Sequence, residues 1–385
     1  MNRPNTYSNF RATMAIAKAS FRSILRSPSA VVFTLAFPLI FIIVFANLGG
    51  GGPTVDVGIT KGMDTTNAIY QGLKGSGLVH LINDQSAEEM SNNLSKGSID
   101  AIIDIQSNNA PNNSGQGFTI YPPLSASGKK PVTLNIQYTK ASPTKGSVLR
   151  SILNNILYNV NKKVFGGEPS LYADVKETTI TGREYKYIDF ILPGMLGFSL
   201  MGSGVFGTAF VFLSLRLTLV IKRFFATPVK KYSIVLGEAL ARLTFALLGA
   251  LILILIGHFV FGFTLIHGVT TVVNMLVLSA LGLIIFMGFG FTISGIAKNE
   301  STVPPLSNII TLPQFLLSGT FFSTTAFPAW LQIISKILPL TYLNDAMRKV
   351  AFEGAGIADV SHQLLILGIW FIVIYAIAVK TFKWE

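Results

Sequence analysis

The chain has 385 residues, of which half are hydrophobic and only 12% are charged. A soluble domain carries roughly 25% charged residues, so this balance excludes an ordinary water-soluble protein and points to lipid. The formal charge of +12 would suit nucleic acid, but the basic residues sit beside apolar runs, as a cytoplasmic membrane face requires.

Residues 1–28 predict a helix. Phe10, Met14, Ala17, Phe21 and Leu25 recur at three- and four-residue steps and form one apolar face, with Arg11, Lys18, Arg22 and Arg26 on its flank. Such a helix can lie in the membrane interface while its basic side chains reach the headgroups. The plainer reading is a solvated basic lead-in that only sets orientation. Residues 29–48 form a first transmembrane helix. Its lead-in is too long for a signal peptide and no small-residue cleavage pattern follows, so it reads as a retained anchor with its N-terminus inside.

From residue 49 to 186 the composition becomes that of a soluble protein, predicting a small α/β extracytoplasmic domain inserted between helices 1 and 2. Val55, Val57 and Ile59 alternate with polar residues and predict a half-buried strand over 54–60. A helix over 66–74 and a strand over 78–82 follow. Ser86 and Glu89 form a capping-box pattern opening a helix that ends near Gly97. Strands are predicted over 99–105 and 132–138. Ser142 and Pro143 supply an N-cap and first-turn proline for a helix to about Lys163. This βαβαβ-like order suggests a layered α/β unit, and the Asn/Ser/Gly-rich stretch 107–117 reads as a loop.

Five more spans are predicted near 188–215, 237–262, 269–297, 302–322 and 363–380, each close to the roughly 20 apolar residues that cross a bilayer. The fold class is therefore an α-helical polytopic membrane protein with six transmembrane helices plus the inserted domain. Residues 187–385 make a five-helix transmembrane domain, with an elbow at 216–236 and an outer segment at 323–350. Charge sets the orientation. Arg216, Lys222, Arg223, Lys230, Lys231, Lys298, Lys380 and Lys383 fall on the same side as the basic N-terminus. The insert is near neutral, with 12 basic and 11 acidic residues between Gly50 and Tyr185. Both termini are thus expected in the cytoplasm.

Chemistry-bearing motifs are few. No phosphate-loop pattern and no catalytic constellation occurs. Cysteine is absent, which excludes disulfides and thiolate metal sites. The four histidines are scattered, so no catalytic, cofactor or metal residues are assigned. The ionisable residues Asp189, Glu238 and Arg242 fall near predicted span boundaries. An ion-coupled secondary transporter, which needs acids at the midplane or broken helices, is disfavoured. In the elbow, Thr227 and Pro228 can open a new helix and present Phe224 and Phe225 on a basic turn with Lys230 and Lys231. An ordinary positive-inside loop fits those residues equally well. Gly194, Gly197, Gly202, Gly204 and Gly207 punctuate span two and allow close backbone approach. They mark a candidate dimer seam or substrate path, or packing within one subunit. Span five, with Pro304, Pro305, Pro313, Gln314, Ser318 and Gly319, is expected to face protein or a cavity, because proline frees carbonyls that must be satisfied internally.

Four stretches, in order, resemble ABC-2-type transport permeases. They are FTLAFPLIFIIVFANLGG in the first span; VDVGIT with AEEMSNNLSKGSIDAIIDI in the insert; KRFFATPVKKYSIVLGEALAR in the elbow; and LPQFLLSGTFFSTTAFPAWLQIISKILPLTYLNDAMRKV near the end. The loop departs from the usual pattern at Arg216-Leu217-Thr218, where the family carries an acidic residue and a Gly-Thr pair. The resemblance implies the membrane subunit of an ABC exporter in the cytoplasmic (inner) membrane of a prokaryote, with no cofactor in this chain and ATP and Mg on a separate ATPase subunit. It implies a second permease subunit, and ATPase coupling through Phe224, Phe225, Thr227, Pro228, Lys230 and Lys231. An outer re-entrant segment would carry Trp330, Pro339, Asp345 and Arg348. The competing reading is a membrane-anchored binding or assembly protein whose α/β domain is the working part.

Overall fold

The computed structural model describes residues 8–47, 55–83, 85–96, 99–107, 132–139, 143–165, 172–180, 186–218, 229–324 and 327–382. In chain order the elements are α1 (Asn9–Leu25), α2 (Pro28–Val31), α3 (Phe37–Asn47), β1 (Val55–Ile59), α4 (Ala68–Gly75), β2 (Val79–Ile82), α5 (Ala87–Lys96), β3 (Ala101–Ser107), β4 (Val132–Thr139), α6 (Pro143–Phe165) and β5 (Ala173–Ile180). There follow α7 (Tyr187–Gly202), α8 (Thr208–Leu217), α9 (Lys231–Phe261), α10 (Val269–Ile296), α11 (Val303–Leu317), α12 (Ala329–Ser335), α13 (Pro339–Arg348) and α14 (Ser361–Thr381). The chain divides into two compact units, Gly51–Lys186 and the remainder, Met1–Gly50 with Tyr187–Glu385.

Among the described residues the inserted unit holds a five-stranded sheet in the order β2-β1-β3-β4-β5. β1 runs parallel to β2 and β3, β4 is antiparallel to β3, and β5 is parallel to β4. Alternation puts Val57, Ile103, Leu134 and Ile136 on one face, where they pack with Ile69 and Leu73 of α4 and Leu149 and Leu153 of α6. Ile102 points to the other face and joins Met90 and Leu94 of α5. The first helix starts at Ala68 rather than 66 because the Asn67 side chain caps it, accepting the Ile69 N–H at 2.9 Å. The Ser86–Glu89 capping box is present in both directions, at 2.8 and 3.2 Å. The Ser86 main-chain N–H, with help from the Ser86 side chain, holds the Glu89 carboxyl below its usual range. Strand β5 has no counterpart in the sequence reading, because residues 174–179 are all exposed and show no buried alternation. The loop expected over 107–117 lies outside the described residues from 108 on, as does Ser142.

Among the described residues, four helical stretches in the other unit are long and apolar enough to cross a membrane: Tyr187–Leu217, Lys231–Phe261, Val269–Ile296 and Ala358–Thr381. The first is continuous because a π-helical turn, Ser203–Gly207, joins α7 to α8. Two of the six expected spans are shorter. The run from Pro28 to Asn47 is broken by a π-helical segment, Val32–Ala36, and its apolar core is Thr34–Val44. α11 has 15 residues, which reach about 22 Å against a hydrocarbon thickness of about 30 Å. α9 begins at Lys231, six residues before the expected start of span three at 237. Arg242 is therefore the twelfth residue of that helix and 5% exposed.

Candidate functional site

The membrane unit has two polar ends. At one end converge the start of α9 and the ends of α8, α10 and α14. Arg216 of α8 donates to the Ala297 carbonyl just past α10, a cation at a helix C-terminus, where the dipole favours it. α1 packs on the first turns of α9. A Cβ on Gly237 would come within 2.7 Å of Ile16 and 3.0 Å of the Thr13 carbonyl, so the glycine is what permits the approach. One residue on, the Ser20 hydroxyl donates to the Glu238 carboxylate.

This contact turns three faces of α1 to different surroundings. Thr13 is buried. Phe10, Met14 and Leu25 are exposed, and Arg11, Lys18, Arg22 and Arg26 are exposed beside them. Lys230 caps α9 without a side-chain bond and lies 5.9 Å from the Tyr232 ring, and Lys231 is the first residue of the helix. Phe224, Phe225, Thr227 and Pro228 lie outside the described residues. Further along α9 the Arg242 guanidinium rests against Gly207, at the end of the π-helical turn. Its Nε has no hydrogen-bond partner among the described residues.

At the opposite end a knot of polar groups ties α7, α11 and α13 together. Gln314 accepts the Leu340 N–H at 3.3 Å. Asn344 donates to the Ser318 carbonyl at 3.2 Å and to the Thr320 hydroxyl at 3.3 Å. Gly319 turns the chain with φ +69°, a conformation that strains any residue with a Cβ. Arg348 donates to the Gly319 carbonyl and, from Nε and an Nη, to the Phe190 carbonyl at 3.1 Å. Asp189 is fully buried and accepts the Thr264 N–H at 2.7 Å and its hydroxyl at 3.1 Å. Asp345 accepts from Gln363 at 2.6 Å and from Lys349 at 3.3 Å. Pro339 opens α13 at a position with no helical N–H to lose, and Trp330 is 65% exposed on α12.

Of the glycines marked along span two, Gly194, Gly197, Gly204 and Gly207 meet neighbours in their own chain, while an added Cβ on Gly202 would meet nothing within 4 Å. Gly197 faces Asn344 and Leu340, and a Cβ on Gly204 would lie 2.6 Å from that of Phe286 on α10. Gly290 of α10 returns the contact, 2.7 Å from the Gly204 and Val205 carbonyls for an added Cβ. The structure thus brings Gly197, Gln314, Ser318, Gly319 and Arg348 together and leaves Gly204 in a separate helix crossing. Sequence reasoning missed the partners of Asp189 and Arg348. The available signal was the cost of burying an ion in an apolar helix without one.

A sequence profile described as ABC-2 family transporter protein matches residues 28–380. The chain belongs to the ABC-2 transporter family. It is also 25% identical over 379 residues to ABC transporter G family member 20 of Dictyostelium discoideum. That alignment takes in 95% of this chain and 50% of the relative, so this ABC-2 protein spans half the relative's length. It is a multi-pass membrane protein of a transport family.

Proposed function

We propose that the chain is the membrane-spanning permease subunit of an ATP-driven ABC exporter. It moves a hydrophobic or amphipathic substrate, such as a drug, natural product or lipid, outward across the cytoplasmic membrane of a prokaryote. ATP and Mg are held by a separate subunit, and two permease subunits pair. The chain crosses the membrane six times with both termini inside and the α/β unit outside. The positive-inside bias supports that orientation, and the basic end, with Arg216, Lys230, Lys231 and Lys298, would be the cytoplasmic one.

The observation that carries this reading is the joint between α1 and α9. Gly237 seats α1 directly on the helix that follows the elbow, and Ser20 bonds Glu238. A push on α1 then reaches α9 directly. α9 in turn touches the π-helical turn through Arg242 and Gly207. Movement of the ATPase subunits would enter at Phe224–Lys231 and at the basic flank of α1, and leave through α7–α8.

The buried Arg242 favours a second reading, an ion-coupled carrier, since an ionisable group at depth is a functional candidate by default. Reconstitution separates the two. The full-length chain, with and without a co-expressed ABC ATPase subunit, is assayed for directional uptake of a fluorescent amphipath into inverted vesicles. The exporter requires ATP and the partner, and Lys230→Glu/Lys231→Glu reduces co-purification of that partner. Directional transport by the chain alone, driven by an ion gradient, would overturn it.

A further inference from the structure

β5 is the long free edge of the inserted sheet. No strand lies beyond it among the described residues, and it has eight residues where the other edge, β2, has four. An edge of that length offers a row of N–H and C=O groups to another strand, and proteins normally blunt it with charge. The charges on β5 do something more selective.

Which groups point outward follows from one bond. Val132 N–H donates to the Tyr172 carbonyl at 3.3 Å, so by alternation Asp174, Lys176 and Thr178 turn their main-chain groups to β4. Ala173, Val175, Glu177 and Thr179 turn theirs to the open edge. The side chains of Asp174, Val175, Lys176 and Thr178 are exposed. Glu177 bonds Arg150 of α6, so the odd-numbered side chains share the α6 side and Asp174 and Lys176 lie on the other.

We propose that β5 pairs antiparallel with β5 of a second copy of this chain, with Val175 on the two-fold axis. Two copies of one edge can pair only so that outward-pointing residues meet, and the symmetric registers near the middle of the strand centre on 174, 175, 176, 177 or 178. Centring on 174 sets Asp174 against itself, on 176 Lys176 against itself, and on 177 Glu177 against itself. Centring on 175 sets Asp174 opposite Lys176 of the second copy twice over, with Val175 against Val175. Directly opposed like charges destabilise a strand pair and opposite charges stabilise it, so the registers on 174, 176 and 177 are disfavoured, the register on 178 sets Thr178 against itself and pairs no opposite charges, and the register on 175 alone gains two opposite-charge pairs. The self-complementary pattern identifies the occupant as another copy rather than an unrelated strand. This goes beyond the proposed function, which needs a pair of subunits but says nothing about this edge.

The absence of cysteine makes the test direct. In the full-length chain in its membrane, Val175→Cys should give a disulfide-linked dimer on mild oxidation. Hydrogen-bonded antiparallel partners lie about 5.5 Å apart between Cα atoms, within disulfide range. Tyr158→Cys, on an exposed position of α6, is the control and should cross-link far less. In the Val175→Cys background, Asp174→Lys or Lys176→Asp should each cut the yield about fivefold. The double exchange, Asp174→Lys with Lys176→Asp, should restore it. A yield at 175 no higher than at 158, or a double exchange that stays as low as the singles, overturns the pairing. Dimers of the full chain that form without a 175 cross-link overturn this edge alone and leave the paired permease standing.

Discussion

Arg348 holds Phe190 twice. Its Nε and one Nη both donate to the Phe190 carbonyl at 3.1 Å, and its guanidinium carbon lies 3.6 Å over the Phe190 ring. The same group reaches the Gly319 carbonyl, so one side chain joins α7, the turn after α11 and α13. Lysine has no fork to reproduce this geometry. Arg348→Ala should lower the unfolding free energy of the detergent-purified chain by about 3 kcal/mol, and Arg348→Lys should recover less than half of that. A lysine variant with the wild-type thermal midpoint would refute the clamp.

The crossing of α10 with the π-helical turn between α7 and α8 depends on missing side chains. An added Cβ at Gly290 would lie 2.6 Å from Thr208 Cβ and 2.7 Å from two main-chain carbonyls, which cannot rotate away. Gly290→Ala should therefore cost about 2–3 kcal/mol. Gly368→Ala, where nothing lies within 4 Å, should change stability by less than about 0.5 kcal/mol. Equal midpoints for the two variants would contradict the crossing.

In the α/β unit Lys145 of α6 lies 3.0 Å from Asp100, a residue only 3% exposed, and 3.9 Å from Asp56. Removing the cation leaves a buried carboxylate. Lys145→Met should cost about 3 kcal/mol, and the Lys145→Met/Asp100→Asn double variant should cost less than the single. Hydrogen exchange of β1 and β3 in the full-length chain reads this out.

Burial raises the Asp56 carboxyl above its ordinary 3.8, outweighing the opposing pull of Lys145, with Asp100 adding to the rise. The folded chain thus binds this proton more tightly than the unfolded chain. Its contribution is fully present below 3.8 and is lost as pH rises through the higher folded value. Asp56→Asn should remove that loss, so the variant gains on wild type as pH rises through this window. Parallel pH–stability curves would count against the assignment.

Gly237 sets how closely α1 lies on α9. Gly237→Leu should lift α1 and speed tryptic cleavage at Lys18 and Arg22 in the membrane-bound chain several-fold, roughly as loss of 1–2 kcal/mol of local stability implies. Unchanged cleavage would show that the contact does not hold the helix down.

Much of the fold is legible along the chain. Charge placement and apolar runs mark the membrane, and alternation in Val55–Ile59 and Val132–Thr139 marks strands whose one face is buried. Ser86 and Glu89 announce a helix start through bonds three residues apart, which local sequence can encode. The ordered resemblance of four stretches pointed to the family that the match over residues 28–380 then showed.

What the tertiary structure alone decided is direction and partnership. A membrane helix is apolar all round, because lipid and protein core are equally apolar. The pattern of α7 therefore does not say which side meets Asn344 or Phe286 and which meets lipid. Arg348 and Phe190 are 158 residues apart, and Arg242 finds Gly207 only because a π-helical turn presents it. β5 hides for the opposite reason: an exposed edge strand has no buried face to impose alternation. Its place beside β4 is visible only once the sheet is built.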